Sequence, residues 1–149
     1  MLSKSFQVIS LLFFCQFCFT NCNMTKTNNS DANSIDGKWV LNKFHKGNSR
    51  IDKSKQSLIP TLEVQVGEKK VAGSDGCNTI FGTLSTLNDQ EIKIGILGGT
   101  KMGCKMKTPY DQVYRNLLST ARTYKIKDST LILFDGADSK LLEFERIRE

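Results

Sequence analysis

The side chains able to do chemistry are few: five cysteines, one histidine and a scatter of acids in 149 residues. Cys77 sits in GSDGCNTIFG (73–82), between Gly76 and Asn78, and Cys104 sits in TKMGCKM (100–106). A thiol nucleophile needs a base, normally histidine, and a third group to orient it. The sole histidine is His45, in KFHKGN at the end of a predicted strand. Without an orienting partner it reads as an exposed surface residue, and serine chemistry meets the same shortage of bases. Structural zinc wants closely spaced Cys or His pairs such as C-x2-C. Neither Cys77 nor Cys104 has another Cys or His within four residues, and Asp75 as a third ligand does not complete a set. GILGGT (95–100) lacks the spacing and lysine of a phosphate-binding loop and reads as a strand end turning toward Cys104. Glu143 and Glu145 alternate with Leu142 and Phe144, as on a solvated strand face. The chain is expected to be no enzyme and to hold neither metal nor cofactor.

Export explains the cysteines better. MLSKSFQ carries Lys4 and no acid, and VISLLFFCQFCF (8–19) is apolar apart from Ser10 and Gln16. That run is short of the roughly 20 residues that cross a bilayer, and it has the form of a secretory signal peptide. FTNC (19–22) follows, and a cysteine directly after such a run resembles the lipobox of bacterial lipoproteins. Cys22 would then be acylated and become the mature N-terminus, although Asn21 stands where glycine or alanine is usual and Phe19 where leucine is usual. The alternative is a freely secreted chain cut nearby. Cys15 and Cys18 leave with the signal peptide, so Cys77 and Cys104 remain as an even pair in a compartment where disulfides persist. A bridge between them, 27 residues apart, stabilises by about 3.5 kcal/mol on the chain-entropy model.

The elements that must position this pair are mostly strands. After a polar stretch without periodicity, NMTKTNNSDANS (23–34), which reads as a flexible tether reaching about 20 Å, a folded domain begins near Ile35. WVLNKF (39–44) is a predicted strand. TLEVQV (61–66) alternates, with Leu62, Val64 and Val66 on one face, and GEKK turns it into VAGS. IFGTLSTL (80–87) and EIKIGIL (91–97) flank the turn NDQ, with Ile92, Ile94 and Ile96 sharing a face. TYKIK, TLILF and KLLEFERI close the chain, separated by DS and DGADS. HKGNSRIDKSKQS (45–57) reads as a charged loop. One segment has helical period: in TPYDQVYRNLLSTA (108–121), Thr108 is an N-cap and Pro109 the first helical residue. Tyr110, Val113, Tyr114, Leu117, Leu118 and Ala121 form its apolar stripe. The net charge of +6 is carried by scattered lysines with no aromatic interleaving, so nucleic-acid binding is not expected.

This ordered set of segments resembles the META/HslJ-like domain family. That family carries G-C-N-x3-G-x-aromatic, then an apolar strand, then T-x-M-x-C before a helix. Gly76, Cys77, Asn78 and Gly82 stand at the first motif, with Leu84 in place of the aromatic. Thr100, Met102 and Cys104 stand at the second, with Gly103 where alanine is common. The opening GKWVL with Trp39 also falls in family order, so the resemblance spans residues 35–147. It implies an α+β domain: a mostly antiparallel, strongly curved sheet or partial barrel of about 7–8 strands with one amphipathic helix. It also implies that the matched positions mark architecture. Many relatives are bacterial envelope lipoproteins, some linked to heat or antibiotic stress. The expected organisation is a signal peptide (1–21), a lipidated cysteine with its tether (22–34) and the domain (35–149). The expected function is that of a monomeric, non-enzymatic lipoprotein of the outer membrane or periplasmic face, binding a protein partner or acting as an accessory module under envelope stress. The alternatives are an inhibitor or docking module for an exported protein, or a carrier of an apolar ligand between sheet and helix.

Overall fold

Alternation of apolar and polar residues lays most of the chain down as strands. A computed structural model describes residues 34–46, 51–103 and 111–148. Nine strands and one α-helix occur among them: β1 (Gly37–Phe44), β2 (Thr61–Gln65), β3 (Lys70–Ser74), β4 (Thr79–Leu87), β5 (Ile92–Ile94), β6 (Gly98–Gly99), α1 (Asp111–Thr120), β7 (Thr123–Lys127), β8 (Thr130–Phe134) and β9 (Lys140–Arg146). A 3-10 turn, Gln56–Leu58, precedes β2.

All pairings are antiparallel, in the order β5-β4-β3-β2-β1-β9-β8-β7, with β6 also on β4. The first and last strands therefore meet in the middle of the sheet. The two ends of the order are drawn together by a bridge between Glu91 and Thr123. The Ile92 N–H donates to the Arg122 carbonyl and the Tyr124 N–H to the Gln90 carbonyl, both at 2.9 Å. The result is a nearly closed antiparallel barrel with one α-helix among the described residues, an α+β fold as expected. Near-closure leaves little unpaired strand edge.

The inward face of every long strand is apolar, and Trp39, Leu41, Leu62, Ile80, Ile92, Leu131, Leu133, Leu142 and Phe144 are buried to 2% exposure or less. α1 packs against β5 and β9. Its Tyr114, Leu117 and Leu118 are buried, and Tyr114 meets the Phe144 ring edge-on at 6.3 Å. The Tyr114 hydroxyl donates to the Thr61 carbonyl at 2.9 Å, which satisfies its polar tip inside the core. Thr108, Pro109 and Tyr110 lie outside the described residues.

Three local expectations change. Val66 is not on the buried face of β2: the strand ends at Gln65, and Val66 lies in the turn, its carbonyl accepting from the Lys69 N–H. EIKIGIL is not one strand. β5 ends at Ile94, and beyond Gly95 the chain has left that strand, so Ile96 stands 96% exposed instead of sharing a face with Ile92 and Ile94. GILGGT, expected to be a strand end, instead contains β6, with Gly98 opposite Phe81 and Gly99 opposite Ile80.

Candidate functional site

The first motif is a turn wound around a buried carboxylate. Asp75 is fully buried, and its Oδ1 accepts from the backbone N–H of Cys77 at 3.0 Å and of Asn78 at 2.7 Å. Its Oδ2 accepts from Nε of Arg115 at 2.6 Å and pairs with Nη2 at 2.6 Å. A buried carboxylate is stable only with such a set of donors. Gly76 takes φ +92°, a left-handed conformation that glycine adopts without strain, and its N–H donates to the Ser74 hydroxyl. Gly73 lies so close to β2 that a Cβ there would come within 2.2 Å of the Thr61 carbonyl oxygen. The Arg115 ion pair thus fastens α1 to the turn. Burial raises the Tyr114 hydroxyl well above the usual tyrosine range, with the Asp75 charge adding to it.

The second motif is tied to the first through Asn78. Its Oδ1 accepts from the Met102 N–H at 2.8 Å and from the Thr100 hydroxyl at 3.3 Å. Thr100 in turn accepts the Thr79 N–H on its hydroxyl and gives its own N–H to the Thr79 carbonyl. The Cys77 Sγ lies 3.9 Å from the Met102 carbonyl oxygen and accepts from Asn78 Nδ2 at 3.3 Å. Gly82, further along β4, has Leu97 over it: a Cβ would sit 3.0 Å from Leu97 Cδ2. Gly76, Cys77, Asn78, Gly82, Thr100 and Met102 are therefore brought together, around β4 and the loop after β6. Cys22 and Cys104 lie outside the described residues.

Between α1 and the segment 94–103 runs a groove. It consists of two hollows of about 660 and 790 Å3 that share Leu97, Gln112 and Arg115. Ile96 and Met102, 96% and 61% exposed, line the two parts. On the other side of β6, the Phe81 ring covers Gly98, where a Cβ would come within 2.7 Å of it.

His45 is not an exposed surface residue. Its Nε2 lies 2.9 Å from Glu143 Oε2, both side chains being largely covered, and this contact draws the Glu143 carboxyl below its usual range. Glu143 thus leaves the solvated face it was expected to share with Glu145, because β1 and β9 are neighbours and place His45 beside it. Asp135 accepts from the N–H groups of Ser139 and Ala137 and from Lys46 Nζ. These bonds, that of Ser139 foremost, lower its carboxyl to about 2. Among the described residues no three His, Cys, Asp or Glu side chains gather as a metal site would need.

Sequence reading missed the Asp75–Arg115 pair and the groove. The available signals were an acid inside a glycine-rich turn and an arginine at the border of the helical stripe. Neither names its partner, which is 40 residues away.

A nearly closed antiparallel barrel with one helix packed on it, and with a Gly-Cys-Asn turn bound to a Thr-x-Met loop, is a small α+β barrel domain. The chain belongs to the META domain family, whose profile matches residues 32–148. Solved structures share the fold. A Burkholderia xenovorans protein solved by NMR is 24% identical, with a TM-score of 0.60 over 76% of this chain and 83% of that one. A DUF4847 family protein from Bacteroides vulgatus, solved by crystallography, is 19% identical, with a TM-score of 0.53 over 76% and 94%. No curated protein matches the chain.

Proposed function

We propose that this META domain is a binding module of the cell envelope, exported by residues 1–21, anchored through a lipid on Cys22 and acting without chemistry of its own. The observation that carries the binding role is the groove between α1 and residues 94–103, bordered by the Asp75–Arg115 pair that clamps α1 to the turn and lined by exposed Ile96 and Met102. Exposed apolar side chains at a preformed groove favour a partner surface. The interior between sheet and helix is filled by Trp39, Tyr114, Leu118 and Phe144, which favours an external partner over an enclosed apolar ligand. An inhibitor of an exported protein would use the same groove.

A Cys77–Cys104 disulfide belongs to this reading. The Met102 carbonyl lies 3.9 Å from Cys77 Sγ, and two further residues span about 7 Å at most, so Cys104 is within chain reach. Peptide mapping without reductant should recover the 77–104 cross-linked pair, and free thiols at both positions would contradict it. Mass spectrometry of the membrane fraction should find acyl groups on Cys22, and an unacylated soluble chain would remove the anchor. A deletion strain should lose tolerance to heat, detergent or hydrophobic antibiotics, and unchanged tolerance would remove the stress role.

The binding role itself is tested by a photo-crosslinking residue placed at Ile96, with the exposed Glu145 on β9 as control position. In intact cells, discrete adducts are expected from position 96 and none from 145. Identical or absent adducts at both would contradict a groove-borne partner.

A further inference from the structure

The groove has a feature that selects what fits it: an open strand edge at its floor. In an antiparallel pair, successive residues turn their N–H and C=O alternately toward and away from the partner strand. Thr100 gives its N–H to the Thr79 carbonyl, and Gly98 faces Phe81 in the same register. The backbone N–H and C=O of Gly99, between them, therefore turn away from β4. Gly98, Gly99 and Thr100 line the groove, so this edge faces the groove and no other described strand. Cationic donors stand at that edge. Lys101 and Arg115 line the groove together with two acids, Asp111 at the rim and the enclosed Asp75 that already pairs with Arg115. Asp75 takes Nε and Nη2 of Arg115, and Nη1 lies over Gly99, 2.9 Å from where a Cβ would be. Glycine at 99 is what lets the guanidinium approach the backbone so closely.

Building on the binding role above, we propose that the groove takes an extended acidic segment of a partner polypeptide, which adds to the Gly99 edge as a short strand. Its backbone pairs with Gly99, a carboxylate meets Arg115 Nη1 and Lys101, and an apolar side chain packs on Ile96. Strand addition draws affinity from main-chain hydrogen bonds and specificity from alternate side chains. The net charge of +6 steers acidic partners toward the chain.

Fluorescence anisotropy of the purified full chain tests this with three labelled heptapeptides: alternating valine and glutamate, alternating valine and lysine, and the glutamate peptide N-methylated at alternate residues. The glutamate peptide should bind saturably, and each of the other two at least about tenfold more weakly, the equivalent of one 1.4 kcal/mol step. Ile96→Asp and Lys101→Glu should each weaken the glutamate peptide several-fold, leaving thermal stability unchanged because both side chains are exposed. Equal binding of the glutamate and lysine peptides, no effect of N-methylation, or no saturable binding would overturn the proposal. Photo-crosslinking at position 96 reads a partner of any chemistry, so adducts there combined with failure of the peptides would reject strand addition alone.

Discussion

Single side chains carry the clamp, and Asp75 carries most of it. Removing one member of a buried ion pair leaves the other uncompensated, at a cost of about 3–5 kcal/mol. Asp75→Ala also strips the Cys77 and Asn78 N–H groups of their acceptor, so urea denaturation should show a loss in that range. Gly73→Ala should be comparably harmful, by more than about 2 kcal/mol, since its Cβ would overlap the Thr61 carbonyl and the backbone of β2 must shift. Asp135 gives the pH dependence. Its folded pKa, about 2, lies below the ordinary 3.8, so the ionised form stabilises the native state. That contribution is complete above pH 3.8 and disappears as pH falls through about 2. Asp135→Asn should therefore be less stable than wild type near neutrality, with the gap in midpoint closing as acid is added.

At the level of elements, strand period and helical stripe were legible because each reflects one local rule. Leu62 and Val64 are buried where alternation puts them, and Tyr114, Leu117, Leu118 and Ala121 where helical spacing puts them. What was not legible depends on long-range register. Nothing within EIKIGIL shows that pairing with β4 stops at Ile94, which leaves Ile96 outside. The His45–Glu143 contact likewise joins residues 98 positions apart through the β1–β9 pairing. Of the site, the two motifs could be read from the chain, but Asp75, Arg115 and the Gly99 edge could not, because each gains its role from a neighbour supplied by the fold. α1 depends on burial more than on propensity. Leu118→Ala, at a position with no exposure, should cost about 2–5 kcal/mol in chemical denaturation.

On the scale of the whole molecule, the two chain ends of the domain are locked together. Arg146 on β9 donates through Nη1 to the Asp36 carbonyl at 2.9 Å and through Nη2 to the Ser34 carbonyl. Its guanidinium lies 4.1 Å from the centre of the Trp39 ring, a cation–π contact. Ser34 and Asp36 thus sit at a fixed point, near the turn after β2, where the Val66 N–H bonds to Asp36. Cys77 and Asn78 follow β3 at its far end, since Thr61 pairs with Ser74 while Gln65 pairs with Lys70. The Gly-Cys-Asn turn is therefore remote from Ser34 and Asp36. The central claim is that the Gly-Cys-Asn turn and the Thr-x-Met loop form one unit secured by Asp75 and Arg115. Amide hydrogen exchange on wild type and Asp75→Asn tests it most directly. Protection at Cys77, Asn78, Thr100 and Met102 should fall together in the variant while β8 and β9 keep theirs. Unchanged protection at Thr100 and Met102, with Cys77 and Asn78 exposed, would contradict it.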